Sequence, residues 1–88
     1  MSEVRIGWAA NPEPDIAFYR AYWGLTSDFA APGSPKDMGN NLIGAFEIFE
    51  SGTYHIAITA INTSGIESGL STEVVRFIAL GVGLGRAN

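Results

Sequence analysis

Alternation along residues 54–61 limits the possible folds of this chain more than any other feature of the sequence. Its larger side chains fall on one face of an extended segment, namely Tyr54, Ile56 and Ile58 with Ala60. Side chains that alternate with a period of two are typical of a β-strand. The polar, glycine-containing stretch 62–69 follows directly and reads as a loop leading into the next strand. The sequence therefore predicts a long β-strand that ends in a turn.

Comparable runs elsewhere in the chain predict further strands between turn residues. Pro12 and Pro14 lack a backbone donor and restrict the residues before them, so residues 11–14 interrupt any ladder. Residues 26–41 are rich in Pro, Gly and Asn, which predicts a loop with one short edge strand. No window shows a 3.6-residue period flanked by helix caps. The predicted strands are residues 4–9, 16–23, 36–38, 42–49, 53–61 and 71–80.

Several short motifs, in a fixed order, resemble those of one protein family. Tyr54 opens its strand just after a Gly-Thr turn and is similar to the tyrosine corner of Greek-key sandwiches. Residues 62–68 look like the loop that follows this strand. Residues 4–8 resemble a second strand ending in a core tryptophan, and residues 11–24 resemble a proline-rich loop and third strand. Together these motifs resemble the fibronectin type III family, in its bacterial or phage form, over roughly residues 4–80.

The resemblance implies an all-β fold, an immunoglobulin-like Greek-key β-sandwich of about seven strands. It also implies structural roles in the core for Trp8, Tyr19 and Tyr54, with the Tyr54 hydroxyl directed to the backbone of the preceding turn. The predicted core further includes Ile6, Trp23, Phe46, Ile48, Ile56, Ile58 and part of the stretch 74–77. The family's first strand should precede Val4, where the sequence has three residues only. The expected domain, residues 1–80, therefore has its first strand missing or replaced.

The last residues continue a strand pattern beyond the family resemblance. Apolar residues share one face, and glycines and Ala79 share the other; the apolar set is Ile78, Leu80, Val82 and Leu84. Such a glycine-rich segment should not hold a strand alone in water, because glycine loses the most backbone entropy on ordering. Against an unpaired sheet edge it could. Residues 81–88 are thus a possible donor strand, with residues 79–85 replacing the absent strand in their own chain or in a neighbour's. The alternative is a frayed tail.

The outward face of the predicted sheet is less polar than an antiparallel sheet normally presents. It combines aromatic and Arg side chains, which are enriched at protein interfaces. Cross-strand aromatic pairs that only stabilise the sheet are the alternative interpretation. The predicted interface residues are Phe18, Arg20, Tyr22, His55, Ala57 and Ile61 on this face, with Leu80, Val82 and Leu84 in the terminal strand.

Residues with catalytic or metal-binding chemistry are few. The chain has no Cys, and His55 is its single His, so thiolate catalysis and two-histidine metal sites are excluded. Glu13, Asp15 and Glu67 lack the regular spacing of a calcium loop. The glycine-rich residues 81–85 lack the Lys-Ser/Thr ending of a phosphate loop. We therefore expect no enzymatic activity, no bound metal and no cofactor.

Charge and hydropathy exclude further classes of partner. The net charge of −4 with five Lys and Arg provides no basic stripe, so we expect no nucleic-acid binding. No segment approaches the roughly 18–20 apolar residues of a membrane helix, and no signal peptide is visible. Without Cys the redox compartment is unconstrained. The location stays unassigned, with a virion or an extracellular assembly favoured.

Two classes of function remain. The first is a non-catalytic structural or interaction module that assembles, by self-association or within a larger complex such as a phage virion or surface fibre, through its sheet face and terminal strand. The second is an accessory module of a secreted bacterial carbohydrate-active enzyme or adhesin, in which Tyr22 or Trp23 would stack on sugar rings. A hydrolase centred on His55 is a remote third.

Overall fold

The computed structural model describes residues 2–71 and 73–80, and within this part of the chain it contains strands and loops but no helix. The all-β architecture expected from the sequence is confirmed. The six strands are β1 (Ser2–Gly7), β2 (Ile16–Gly24), β3 (Lys36–Gly39), β4 (Ile43–Ile48), β5 (Gly52–Asn62) and β6 (Val74–Ile78).

The strands form two antiparallel sheets. β1 pairs with β4 in a two-stranded sheet, from Ser2 opposite Ile48 to Gly7 opposite Ile43. The other sheet has four strands in the order β3-β2-β5-β6. Its central pair, β2 and β5, runs from Ile16 opposite Asn62 to Gly24 opposite His55. This arrangement is consistent with a β-sandwich.

Aromatic stacking joins the two sheets at the centre of the core. The ring of Trp23 on β2 stacks on Phe46 of β4, with centroids 4.0 Å apart and planes inclined by 19°. Trp8, just after β1, packs against Tyr19 with centroids 5.7 Å apart. The predicted core residues Tyr19, Trp23, Phe46, Ile48, Tyr54 and Ile56 are buried, and Ile6, Trp8 and Ile58 pack against them partly buried.

One part of the predicted core is wrong. Val74, Val75 and Phe77 in β6 are 47%, 55% and 66% exposed. β6 is the edge strand of its sheet. Val75 and Phe77 lie opposite His55 and Thr53 on the outward face, and Val74 lies on the inner side, which no described strand covers. Met38 of β3, which the sequence pattern did not single out, is buried in the core instead.

Tyr54 occupies the position that its sequence context predicted. It lies at the start of β5, 2% exposed, and its hydroxyl donates to the carbonyl of Glu50 over 2.6 Å. Burial raises the pKa of this hydroxyl above its ordinary value, which keeps it protonated and able to donate. The expected bond from Tyr54 to the preceding turn is confirmed, and it fixes the crossing from β4 to β5.

Two serines close the far half of the β5 edge, where β6 does not reach. The N–H of Ser68 donates to the carbonyl of Ala60 over 2.8 Å, and the Ser68 hydroxyl accepts the N–H of Ala60 over 2.9 Å. Ser71 and Ile58 make the same pair of bonds, each 2.9 Å long. Because these side chains replace a strand partner, the backbone of β5 is satisfied before β6 begins at Val74.

Tyr54→Phe removes one hydroxyl without changing the volume of the core. We expect a loss of about 1 kcal/mol in the free energy of unfolding, because the Glu50 carbonyl loses its partner. Urea denaturation measures this loss. Thr53→Val, on the exposed neighbour, serves as the control and should change stability by less than about 0.5 kcal/mol. Equal effects of the two substitutions would contradict a structural role for the Tyr54 hydroxyl.

Candidate functional site

The outer edge of β1 has no strand partner among residues 2–71 and 73–80. The N–H of Trp8 donates to the carbonyl of Leu42 over 3.0 Å. This bond shows which residues of β1 form hydrogen-bonded pairs with β4 and which do not. In an antiparallel ladder every second residue bonds the same partner strand. Val4 and Ile6 therefore direct their backbone groups to β4. Glu3, Arg5 and Gly7 direct theirs away from it, and these groups form the β1 edge.

An apolar cleft opens beneath the β1 edge, between the two sheets. Its volume is about 510 Å³. Val4, Ile6 and Trp8 line one side, and the other side is lined by Ile58 of β5 with Val74 and Ile78 of β6. Both walls belong to the inner faces of the sheets. The cleft is therefore the part of the sandwich core that lies open between β1 and β6.

An unpaired edge over an open core is a specific chemical arrangement. The edge offers backbone donors and acceptors in a row, and the cleft offers apolar surface to every second side chain of an incoming strand. Glu3 and Arg5 point to the solvent side and are 51% and 80% exposed, so they do not close the edge. The arrangement is suited to bind an extended segment of polypeptide.

The end of the described chain lies beside this site. Ile78 and Leu80 both pack against the core, and the N–H of Leu80 donates to the hydroxyl of Ser51 over 2.8 Å. Ser51 lies in the turn between β4 and β5, at the same end of the domain as the start of β1. The predicted interface residue Leu80 is thus half-buried in its own domain. Predicted residues Val82 and Leu84 lie outside the described part of the chain.

The outward face of the large sheet is more covered than its sequence pattern indicated. Of the predicted interface residues on this face, Ala57 is 2% and Ile61 is 5% exposed. The others are half-buried, namely Phe18, Arg20, Tyr22 and His55. The alternation placed these residues on the correct face. It did not reveal that carboxylates from the segment between β5 and β6 bond to this face.

Glu67 is the centre of a hydrogen-bond network on this face. Its carboxylate accepts bonds from the Tyr22 hydroxyl and, over 2.7 Å, from the Thr59 hydroxyl. Arg20 approaches it within 3.3 Å and also donates to Asp37 over 2.7 Å. The bonds from Tyr22 and Thr59, with the charge of Arg20, hold the pKa of Glu67 below its ordinary value. The network uses the polar groups of this face within the chain itself.

His55 is held in a second, smaller contact. Its Nδ1 contacts the carboxylate of Glu73, and the Ser27 hydroxyl lies 3.1 Å from both oxygens of the same carboxylate. The bond with His55, and then that with Ser27, lowers the pKa of Glu73. Ser27 and His55 each bond to the Glu, and no bond joins them. The base in contact with the serine is thus a carboxylate of lowered pKa, which is a weak base, and the serine lacks a bond to the imidazole.

Neither aromatic residue considered for sugar stacking presents a free ring. Trp23 is 1% exposed and stacked on Phe46. Tyr22 packs edge-on against Phe29, with centroids 6.0 Å apart, and its hydroxyl bonds to Glu67. Within the described ranges no three His, Asp or Glu side chains gather closely enough to hold a metal ion. The same residues include no helix of the length and hydrophobicity needed to cross a membrane.

Comparison with protein-family models, with curated proteins and with solved structures found no match. A functional assignment therefore depends on the geometry of the β1 edge and of the cleft beneath it.

Glu67→Gln tests the network on the sheet face through pH. Because the folded pKa of Glu67 is lowered from 4.5, its contribution to stability is present above that value and is lost as pH falls below it. We expect the substitution to reduce the free energy of unfolding at pH 7 by about 1 kcal/mol, and to reduce the further loss on acidification. Denaturation between pH 7 and about pH 3 measures both. Glu13→Gln is the control, and an identical pH profile in the two variants would refute the role of Glu67.

Proposed function

We propose that this protein is a non-catalytic, fibronectin type III-like structural module that self-associates into a larger assembly, such as a virion or a surface fibre, by strand addition at the β1 edge. The observation that carries the proposal is the β1 edge, unpaired within the described part of the chain, above a mostly apolar cleft of about 510 Å³. A protein of this size has a small core, so an open side is a substantial part of it.

The order of the strands supports the family part of the proposal. A fibronectin type III sandwich has seven strands, and its first strand pairs with the second. If β1 is the second strand of that fold, then the orders β1-β4 and β3-β2-β5-β6 are compatible with the family's order from its second strand onward. The bond from Tyr54 to Glu50 and the burial of Tyr19 and Trp23 agree with the same alignment.

The physical properties of the β1 edge support the functional part. Monomeric sheet proteins normally protect their edges with bulges, prolines, inward charges or a covering loop. β3 has Lys36 and Asp37 on its short edge, and β5 has its two serines. β1 carries Glu3 and Arg5 on its solvent face, but it pairs over its full length of six residues without a bulge, and its inward residues Val4 and Ile6 are apolar. Such an edge favours pairing with another strand.

The sheet face and the sugar-binding alternative receive less support. The network around Glu67 and the burial of Ala57 and Ile61 leave the face with few unused groups. An accessory carbohydrate-binding module needs an accessible aromatic platform, and Trp23 is inside the core. We therefore assign the assembly role to the β1 edge and to the terminal segment.

Arg5→Pro is a direct test of strand addition. The Arg5 N–H points to the open edge, so proline there removes a donor to an incoming strand without removing a bond to β4. We expect the wild-type protein to form concentration-dependent assemblies in sedimentation velocity, and Arg5→Pro to remain a monomer over the same range.

Arg5→Thr is the matched control, because it removes the same charged side chain and keeps the N–H. It should assemble like the wild type. Urea denaturation of both variants verifies that each is folded. If Arg5→Pro and Arg5→Thr sediment alike, or if the wild type stays monomeric at every concentration, assembly through the β1 edge is wrong.

A further inference from the structure

The geometry points to a specific occupant for the β1 edge. We infer that residues 81–85 of a second copy of this chain pair antiparallel with β1, with Val82 opposite Ile6 and Leu84 opposite Val4. The inference rests on the proposed function, since it names the strand that the β1 edge would bind. It places the two apolar side chains of the donor in the cleft and its glycines opposite Glu3, Arg5 and Gly7.

The phase of the β1 ladder agrees with this register. Glu3, Arg5 and Gly7 have the free N–H and carbonyl groups, so the residues opposite them must form the hydrogen-bonded pairs. In the inferred register those residues are Gly85, Gly83 and Gly81. The residues between them then face the cleft, whose walls are mostly apolar, with Arg76 of β6 as a charged member of the lining. One register thus satisfies the backbone pairing and the burial of apolar side chains together.

A tight turn after β6 that returned the terminal segment to its own domain would conflict with the alternation of apolar residues and glycines in residues 78–85. Ile78 and Leu80 face the core. A two-residue hairpin after β6 would pair an even-numbered residue with an odd-numbered one, and paired residues share a face of the sheet. That turn would direct Gly81 or Gly83 inward and Val82 and Leu84 outward. A straight continuation keeps Val82 and Leu84 on the face of Ile78 and Leu80, and it leads away from the domain.

The direction of the strands permits a repeated arrangement. β6 is antiparallel to β5, β4 and β5 are joined by a short turn, and β1 is antiparallel to β4. β6 and β1 therefore run in opposite directions. Consider a second copy stacked beyond the end of β6 in the same orientation as the first. A segment that continues β6 of the first copy would then run antiparallel to β1 of the second. Such a head-to-tail contact is heterologous and generates a linear series of copies.

Pairing between the β1 strands of two copies fills the cleft less well. That contact would satisfy the backbone groups of both edges. However, the inward residues Val4 and Ile6 of the incoming strand already pack against their own core. They would bring no apolar side chain into the other copy's cleft. The terminal segment offers side chains that the described core does not use.

Disulfide cross-linking tests the register directly, because the chain contains no Cys. A hydrogen-bonded antiparallel pair has its Cα atoms about 5.5 Å apart, within the range that a disulfide spans. The double variant Arg5→Cys with Gly83→Cys should form, under mild oxidation, a ladder of disulfide-linked oligomers on a non-reducing gel. Reduction should return the ladder to the monomer. Arg5→Cys with Val82→Cys is the control, since these side chains would lie on opposite faces, and it should cross-link far less.

Val82→Lys gives an independent measurement on the otherwise unchanged chain. A second cation directed into the cleft that Arg76 also lines should weaken self-association about tenfold or more. Gly83→Ser, which places a small polar group on the solvent side, should leave the association constant nearly unchanged. Sedimentation equilibrium measures both constants, and equal effects would overturn the inferred facing of the donor.

The outcomes separate this inference from the proposed function. An intramolecular cross-link, seen as a mobility change at monomer mass, would overturn pairing between copies. A disulfide-linked dimer of the single variant Arg5→Cys, with no higher species from the double variant, would indicate pairing between two β1 strands and overturn the terminal segment as occupant. If Arg5→Pro abolishes assembly but the double variant does not cross-link above its control, the β1 edge stands and this occupant is wrong.

Discussion

The stacking of Trp23 on Phe46 is the contact on which the two-sheet arrangement depends. The smaller sheet has only β1 and β4, and an isolated two-stranded ribbon is marginally stable in water. It persists because Phe46 and Ile48 are buried against the larger sheet, at 1% exposure each, and because Trp8 packs on Tyr19. The same dependence holds β1 in place although one of its edges is unpaired among the described residues. β1 is fixed by its inward side chains and by β4, and its other edge has no bond to any described strand.

The sequence predicted the parts of this structure that follow from local patterns. Alternation placed the six strands close to their observed bounds and directed Tyr19, Trp23, Tyr54 and Ile56 inward, because side-chain direction in a strand depends on parity alone. The Tyr54 hydroxyl bond was also predictable, since its partner lies four residues upstream. Alternation could not predict how exposed each side chain is, because exposure depends on elements that are distant in sequence.

Three differences between prediction and structure share that cause. Val74 and Phe77 are both apolar and both exposed, because Val74 borders the open cleft and Phe77 lies opposite Thr53 on the outward face of the edge strand β6. Met38 is buried because β3 lies beside β2, a pairing that a four-residue strand in a polar loop does not reveal. Ala57 and Ile61 were expected on an open face, and they are buried on a face to which Glu67 and Glu73 bring their carboxylates. The position of a loop over a sheet is a tertiary property, and tertiary contacts override local patterns.

The spacing of glycines near the end of the chain would limit the affinity of the proposed strand addition and so raise the concentration at which copies associate. Each glycine that enters a strand loses more backbone entropy than another residue would, so ordering the segment offsets part of the gain from burying Val82 and Leu84. A donor rich in β-branched residues would pair more tightly, and it would also pair with other exposed edges before reaching its own site. The alternation of glycine with Val and Leu would therefore lower the affinity of the segment for any edge and also reduce its pairing with other exposed edges. In the proposed assembly, the segment would bind where an edge with outward backbone groups at every second residue lies above a mostly apolar cleft, and β1 provides such an edge.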